Sequence, residues 1–310
     1  MPKTKIVIVG IGGVGGYFGG LLAKQFYSIE DVDIIFFARG SHLQYIKSHG
    51  LKIIMGQDTW TVHPNIATDN ASEIGTADLI VLCTKSYDLA STIPQLLPAI
   101  NKDTIVLPLL NGVDSKDKIK NILPDNLVLD GCVYIVSRLI QDGIVENSGN
   151  IQKLFFGLNN WEDDRLLFFE DLFKRAGIDA TLSQNISAII WEKFIFLSPI
   201  ATATSYFDTC IGDIISDSEK FATLKILIEE VKRLAIAKQI HLDDDINEKT
   251  LQKLKALPYH ATSSMHSDFK NNKAHTELQS LTAYVIDEGR KYNLDAPMYS
   301  TMYLFLSEKR

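Results

Sequence analysis

Residues 3–9, KTKIVIV, run apolar without polar alternation, the pattern of a short strand buried on both faces. A glycine-dense turn follows, then the apolar helix GGYFGGLLAKQF, then a second strand over residues 32–38, VDIIFFA. The chain therefore opens strand–turn–helix–strand, the start of a parallel sheet. Residues 77–85 (ADLIVLCTK) and 103–112 (DTIVLPLLNG) predict two further buried strands. Each ends in polar residues, where open α/β sheets bind their ligands. The stretch between them, SYDLASTIPQLLPAI, reads as helical. From residue 127 the run LVLDGCVYIVSRLIQDGIVENSGNIQKLFFG is strand-rich, with Asp142-Gly143 as a hairpin turn. It predicts antiparallel strands extending the same sheet. The helix WEDDRLLFFEDLFKRAG closes this half near Gly177.

Beyond residue 184 the pattern turns helical, with helices expected over 186–206, 219–239, 246–256, 275–292 and 298–308. The fold class is α/β: a Rossmann-type dinucleotide-binding domain over 1–183, then an all-α domain over 184–310. The stretch IIWEKFIFLSPIATA is apolar enough to be buried, yet carries Glu192 and Lys193 near its middle. A buried lysine is costly to desolvate unless it is paired or its proton is used.

Composition narrows the classes. A 46% hydrophobic and 22% charged chain is that of an ordinary globular protein. The net charge of −7 argues against general affinity for nucleic acid or an anionic membrane. Only residues 186–207 approach a membrane span in length, and Glu192, Lys193, Pro199 and several hydroxyls within them favour a buried core helix. Cys83, Cys132 and Cys210 fit neither a zinc site nor a disulfide framework, so reduced thiols in the cytoplasm are expected. The opening MPKTK leads directly towards a strand, and no secretory leader is expected. His260, His266 and His275 are spaced by six and nine residues, which does not match helical chelation, and no metal site is expected.

Gly10-x-Gly12-x-x-Gly15 follows a strand and opens a helix, the context a dinucleotide fingerprint requires. The first glycine permits the tight turn, the second lets backbone approach a pyrophosphate, and the third lets helix and strand pack closely. Arg39 ends the second strand, where an acidic residue holds the ribose of NAD. A guanidinium there pairs with a 2′-phosphate and favours NADP, although a solvated arginine would fit the pattern too. Lys85 lies near the cofactor edge or in solvent. Reducing a carbonyl needs a proton donor at the developing alkoxide. Lys193 suits that role; the alternative is a lysine snorkelling to the domain edge. Glu192 points about 100° away on a helix and is a poor partner, so Glu277 is the better candidate. Asn111 ends a strand at the ligand edge and could bond substrate or serve only its Asn-Gly turn. Ser263 and Ser264 stand at a helix start, as a carboxylate site or as caps.

These pieces together resemble the ketopantoate reductase family, the 2-dehydropantoate 2-reductases. The resemblance is carried by the glycine motif, Arg39, TKSYD at 84–88, LNG at 110–112, WEKF at 191–194, SSM at 263–265 followed by Asp268, and HTE at 275–277. It implies NADPH-dependent reduction of the 2-oxo group of ketopantoate to pantoate, a step towards pantothenate and coenzyme A. It also implies that Lys193 and Glu277 are catalytic, that Asn111 and Ser264 contact substrate, and that Gly10, Gly12, Gly15, Arg39 and Lys85 bind NADP(H). The family's asparagines one and two turns after the lysine, and three residues before the SSM serine, are Leu197, Ala201 and Ala261 here. The expected partner is a small 2-oxo acid, with a homodimer compatible. The alternatives are a reductase of a more apolar 2-oxo acid and a non-catalytic NADP-binding sensor.

Overall fold

The computed structural model describes residues 3–29, 31–160 and 163–309. It divides into two compact units: Met1–Leu110 with Ser115–Ile186, and Asn111–Asp114 with Ser187–Arg310.

The first unit runs β1 (Thr4–Val9), α1 (Gly13–Phe26), β2 (Val32–Phe37), α2 (Gly40–His49), β3 (Leu51–Met55), β4 (Asp58–Val62), β5 (Ile66–Thr68), β6 (Leu79–Leu82), α3 (Leu89–Leu96), β7 (Ile105–Pro108) and α4 (Ser115–Lys120). It continues with β8 (Leu127–Val128), β9 (Asp130–Gln141), β10 (Ile144–Gly157), α5 (Asp164–Arg175) and β11 (Asp179–Ser183). Trp161 and Glu162, expected to begin the closing helix, lie outside the described residues.

A six-stranded sheet in the order β5-β2-β1-β6-β7-β8 is parallel throughout. The order reverses beside β1, the arrangement that opens a ligand crevice at the strands' carboxyl ends. Its strands are buried on both faces, which is why they read as continuous apolar runs.

The antiparallel strands do not extend this sheet, as their pattern suggested; of that stretch only β8 does. Instead β9 pairs with β10, and β10 pairs parallel with both β3 and β11, while β3 pairs with β4. The result is a second, five-stranded sheet. Its β3–β4 hairpin and β11 carried no recognised signal. Both sheets pack closely against α1, and this explains the helix's many glycines. An added Cβ at Gly19 would meet Ile8 and Phe36 of the first sheet. One at Gly16 or Gly20 would strike Val145 at 2.6 Å or Ile53 at 2.0 Å in the second.

The second unit comprises α6 (Ile186–Phe207, all but its first residue), α7 (Ile211–Ser216), α8 (Ser218–Ala237), α9 (Ile246–Lys255), α10 (Ser264–Lys270), α11 (Tyr284–Lys291) and α12 (Pro297–Glu308). The helix expected from residue 275 starts later, as a π-helical turn at Gln279–Ala283 that runs into α11. Helix α6 has the length and hydropathy of a membrane span, yet over half of that window is buried inside the protein. Its hydroxyls are satisfied there. Ser198 donates to the Leu281 carbonyl at 2.6 Å, Thr202 bonds Thr282 at 2.8 Å, and Ser205 donates to the Ala201 carbonyl at 2.7 Å. Bonded in this way, buried hydroxyls do not carry the cost of unpaired polar groups.

Candidate active site

Three adjacent parallel strands, β2, β1 and β6, end level with one another. Val9 pairs with Phe37 on one side and Leu82 on the other. The residues that follow these ends are Gly10, Arg39 and Lys85, so the sheet brings the expected cofactor residues to one edge. Gly10 has φ +86°, and a Cβ there would press on Cys83 and Thr84 at 3.0–3.1 Å. A Cβ at Gly15 would lie 2.2 Å from the Gly10 carbonyl oxygen. Both glycines are therefore required by the turn itself. Gly12 is different: its Cβ would meet nothing within 4 Å.

Gly12 caps α1 without a side-chain bond, and the first turn of α1 holds no acidic residue. A fourteen-residue helix thus presents its N-terminus uncapped by any side chain and unopposed by a carboxylate of its own first turn. Thr84, beside Gly10, has a buried hydroxyl without a hydrogen-bond partner among the described residues. Arg39 is exposed at the N-cap of α2, and its side chain does not cap that helix. Lys85 is half-buried. The open Gly12 cradle, the helix N-terminus and the exposed guanidinium fit a dinucleotide's phosphates.

The second unit gathers the remaining candidates in two pairs. Lys193 Nζ donates to Asn111 Oδ1 at 3.0 Å, across 82 residues of sequence. Asn111 stands at the turn, with Gly112 at φ +95°, so it serves the turn and the lysine together. Ser264 Oγ donates to Glu277 Oε2 at 3.4 Å. Glu277 is only 2% exposed, so its carboxylate depends on such bonds. Capping of α10 falls to Ser263, whose Oγ accepts from the His266 amide at 3.0 Å. That leaves the Ser264 hydroxyl to the carboxylate. Glu192 is occupied elsewhere, in an ion pair with Lys253.

The positions that carry apolar residues differ in exposure. Leu197, one turn past Lys193 on the same helix face, is half-buried. Ala201 is fully buried, and Ala261 is half-buried with its carbonyl accepting from the Ile211 amide at 2.9 Å.

Two residues at the glycine loop went unremarked in the sequence. His42 Nε2 lies 2.8 Å from the Ile11 carbonyl oxygen, and Ser137 Oγ donates to the Gly13 carbonyl at 2.9 Å. Both contacts are long-range in sequence and leave no local signal.

The family "Ketopantoate reductase PanE/ApbA" matches residues 6–161, and "Ketopantoate reductase PanE/ApbA C terminal" matches residues 185–310. The chain is 33% identical to the solved 2-dehydropantoate 2-reductase of Porphyromonas gingivalis W83, covering 98% of this chain and 99% of that one at a TM-score of 0.86. It is 27% identical over 300 residues to the Bacillus subtilis uncharacterized oxidoreductase YkpB, covering 96% of each. The fold is shared with a D-mandelate dehydrogenase at a TM-score of 0.86 and 23% identity, covering 99% of this chain and 98% of that one. The chain belongs to the ketopantoate reductase family of oxidoreductases, whose cofactor is a nicotinamide dinucleotide.

Proposed function

We propose that this protein reduces the 2-oxo group of ketopantoate to the hydroxyl of pantoate with NADPH, in the cytoplasm and as a step towards pantothenate. The observation that carries the reading is the Lys193–Asn111 bond in the same unit as the buried Glu277–Ser264 pair. The cofactor, when bound, supplies the hydride that C2 of the substrate receives.

The chain's own residues do the rest. Lys193 places a cation and a transferable proton where the 2-oxo oxygen gains negative charge. Asn111 accepts one of the three ammonium hydrogens and so orients the other two. Glu277 and Ser264 offer an acceptor and a hydroxyl to the substrate's polar groups. Gly10, Gly12 and Gly15 shape the phosphate turn, Arg39 answers the 2′-phosphate, and Lys85 adds positive charge at the same sheet edge.

A second reading, reduction of a more apolar 2-oxo acid, is favoured by Leu197 on the lysine's helix face. The D-mandelate dehydrogenase of the same fold was solved with NADH and anilino(oxo)acetate.

Steady-state oxidation of NADPH and NADH against ketopantoate and a panel of apolar 2-oxo acids separates these readings. Ketopantoate is expected to give the highest kcat/KM, and a faster apolar acid would favour the second reading. Lys193→Ala is expected to lose roughly 10²–10⁴-fold in kcat while binding NADPH normally. Near-normal turnover in that variant would remove Lys193 from the chemistry. Binding of NADPH without oxidation by any acid would point to a sensor.

A further inference from the structure

His42 lies on α2, one turn past Arg39, with its side chain 13% exposed. Its ring makes two bonds to backbone. Nε2 sits 2.8 Å from the carbonyl oxygen of Ile11, between Gly10 and Gly12, and Nδ1 sits 2.9 Å from the amide nitrogen of Gly143. A carbonyl can only accept and an amide N–H can only donate. Both bonds therefore exist together only in the neutral ring with its hydrogen on Nε2.

Gly143 forms the β9–β10 turn with φ +73°, and a Cβ there would fall 1.9 Å from the Tyr45 ring of α2. The turn is thus pressed against the helix that carries His42. The same hairpin grips the loop a second time through Ser137 and the Gly13 carbonyl.

We infer that His42 is a positioning residue for the dinucleotide loop, acting through this one tautomer, with Ser137 as its companion. The inference rests on the dinucleotide reading above. In a trans peptide the C=O and the following N–H point in opposite directions, and the chain has no cis peptide bond among the described residues. Holding the Ile11 carbonyl from one side aims the Gly12 amide the other way. Holding the Gly13 carbonyl does the same for Val14. The hairpin thereby directs loop amides through the carbonyls behind them.

The other neutral tautomer, with its hydrogen on Nδ1, could not accept from Gly143. Asp142 faces the ring from the hairpin, with Oδ1 4.0 Å from Nδ1.

The test measures dissociation constants of NADPH and NADH for the wild-type chain, His42→Gln and His42→Phe, with thermal melts alongside. NADH, which lacks the 2′-phosphate, shows whether the effect reaches both dinucleotides through the part they share. Nitrogen NMR of the His42 ring without cofactor reads the tautomer directly. His42→Phe is expected to weaken both dinucleotides roughly tenfold. His42→Gln, which can both donate and accept, is expected to recover much of that loss. A hydrogen on Nδ1 in the neutral ring, or a His42→Phe variant with wild-type affinity, overturns the inference. Failure of the wild-type chain to bind either dinucleotide would instead overturn the reading beneath it, and this inference with it.

Discussion

Substituting alanine at Gly12 and at Gly15 separates what the glycine motif does for the fold from what it does for the cofactor. Gly12 has φ −86° and ψ −151°, which an L-residue adopts without strain, and its Cβ would meet nothing within 4 Å. Alanine is a poorer N-cap than glycine but a stiffer residue in the unfolded chain, and these opposing terms leave stability within about 1 kcal/mol of wild type. The methyl group would occupy the space through which a pyrophosphate reaches the backbone. Loss of one or two charge-assisted bonds there is worth about 3 kcal/mol, on the order of a hundredfold in affinity. At Gly15 the Cβ would stand 2.2 Å from the Gly10 carbonyl oxygen and 2.8 Å from Cys83 Cβ. Neither neighbour is a flexible side-chain end, so helix and strand must part. The cost is about 1–3 kcal/mol, with a fall in Tm of roughly 2–4 °C per kcal/mol for a unit of this size. Thermal melts and fluorescence titration with NADPH read the two quantities independently. Gly12→Ala is expected to melt like wild type and bind poorly; Gly15→Ala is expected to melt early as well. An unchanged dissociation constant in Gly12→Ala, or an unchanged Tm in Gly15→Ala, would refute this account of the loop.

Two other outcomes follow from single side chains. Arg39→Ala is expected to raise the KM for NADPH about tenfold or more and leave that for NADH nearly unchanged, because only the former carries the phosphate a guanidinium pairs with; equal effects on both would remove Arg39 from cofactor choice. Asp213 accepts from the Thr209 and Tyr259 hydroxyls, which hold its carboxyl down at about 2. A carboxyl lowered by folding contributes stability above its unfolded pKa of about 3.8, and that contribution is lost as pH falls towards about 2. Asp213→Asn is therefore expected to flatten the pH dependence of Tm in that window, and an unchanged slope would sink the assignment.

The local pattern of the chain was enough to place β1, β2, β6 and β7 and to show that the second half is helical. A strand buried on both faces must be apolar throughout, and the strand–Gly-x-Gly-x-x-Gly–helix succession is itself a local geometric requirement. Lys193 stood out as a candidate for a related reason, since a lysine inside an apolar helix is costly to bury; the structure leaves it half-buried, bonded to Asn111. Tertiary structure alone decided the rest. The alternation in β9 and β10 encodes a hairpin but not which sheet it joins, and β10 finds β3 and β11 through hydrogen bonds that any backbone can make. The pattern gave no reason for the glycines at 16 and 20, and the second sheet supplies it by pressing on them. Which serine caps α10 and which meets Glu277, and that an asparagine 82 residues away orients the lysine, depend on chain segments brought together only by folding. His42 and Ser137 belong to the same class. Periodicity records which face of an element is buried, whereas a hydrogen bond across 31 or 124 residues leaves no trace in the pattern of either end.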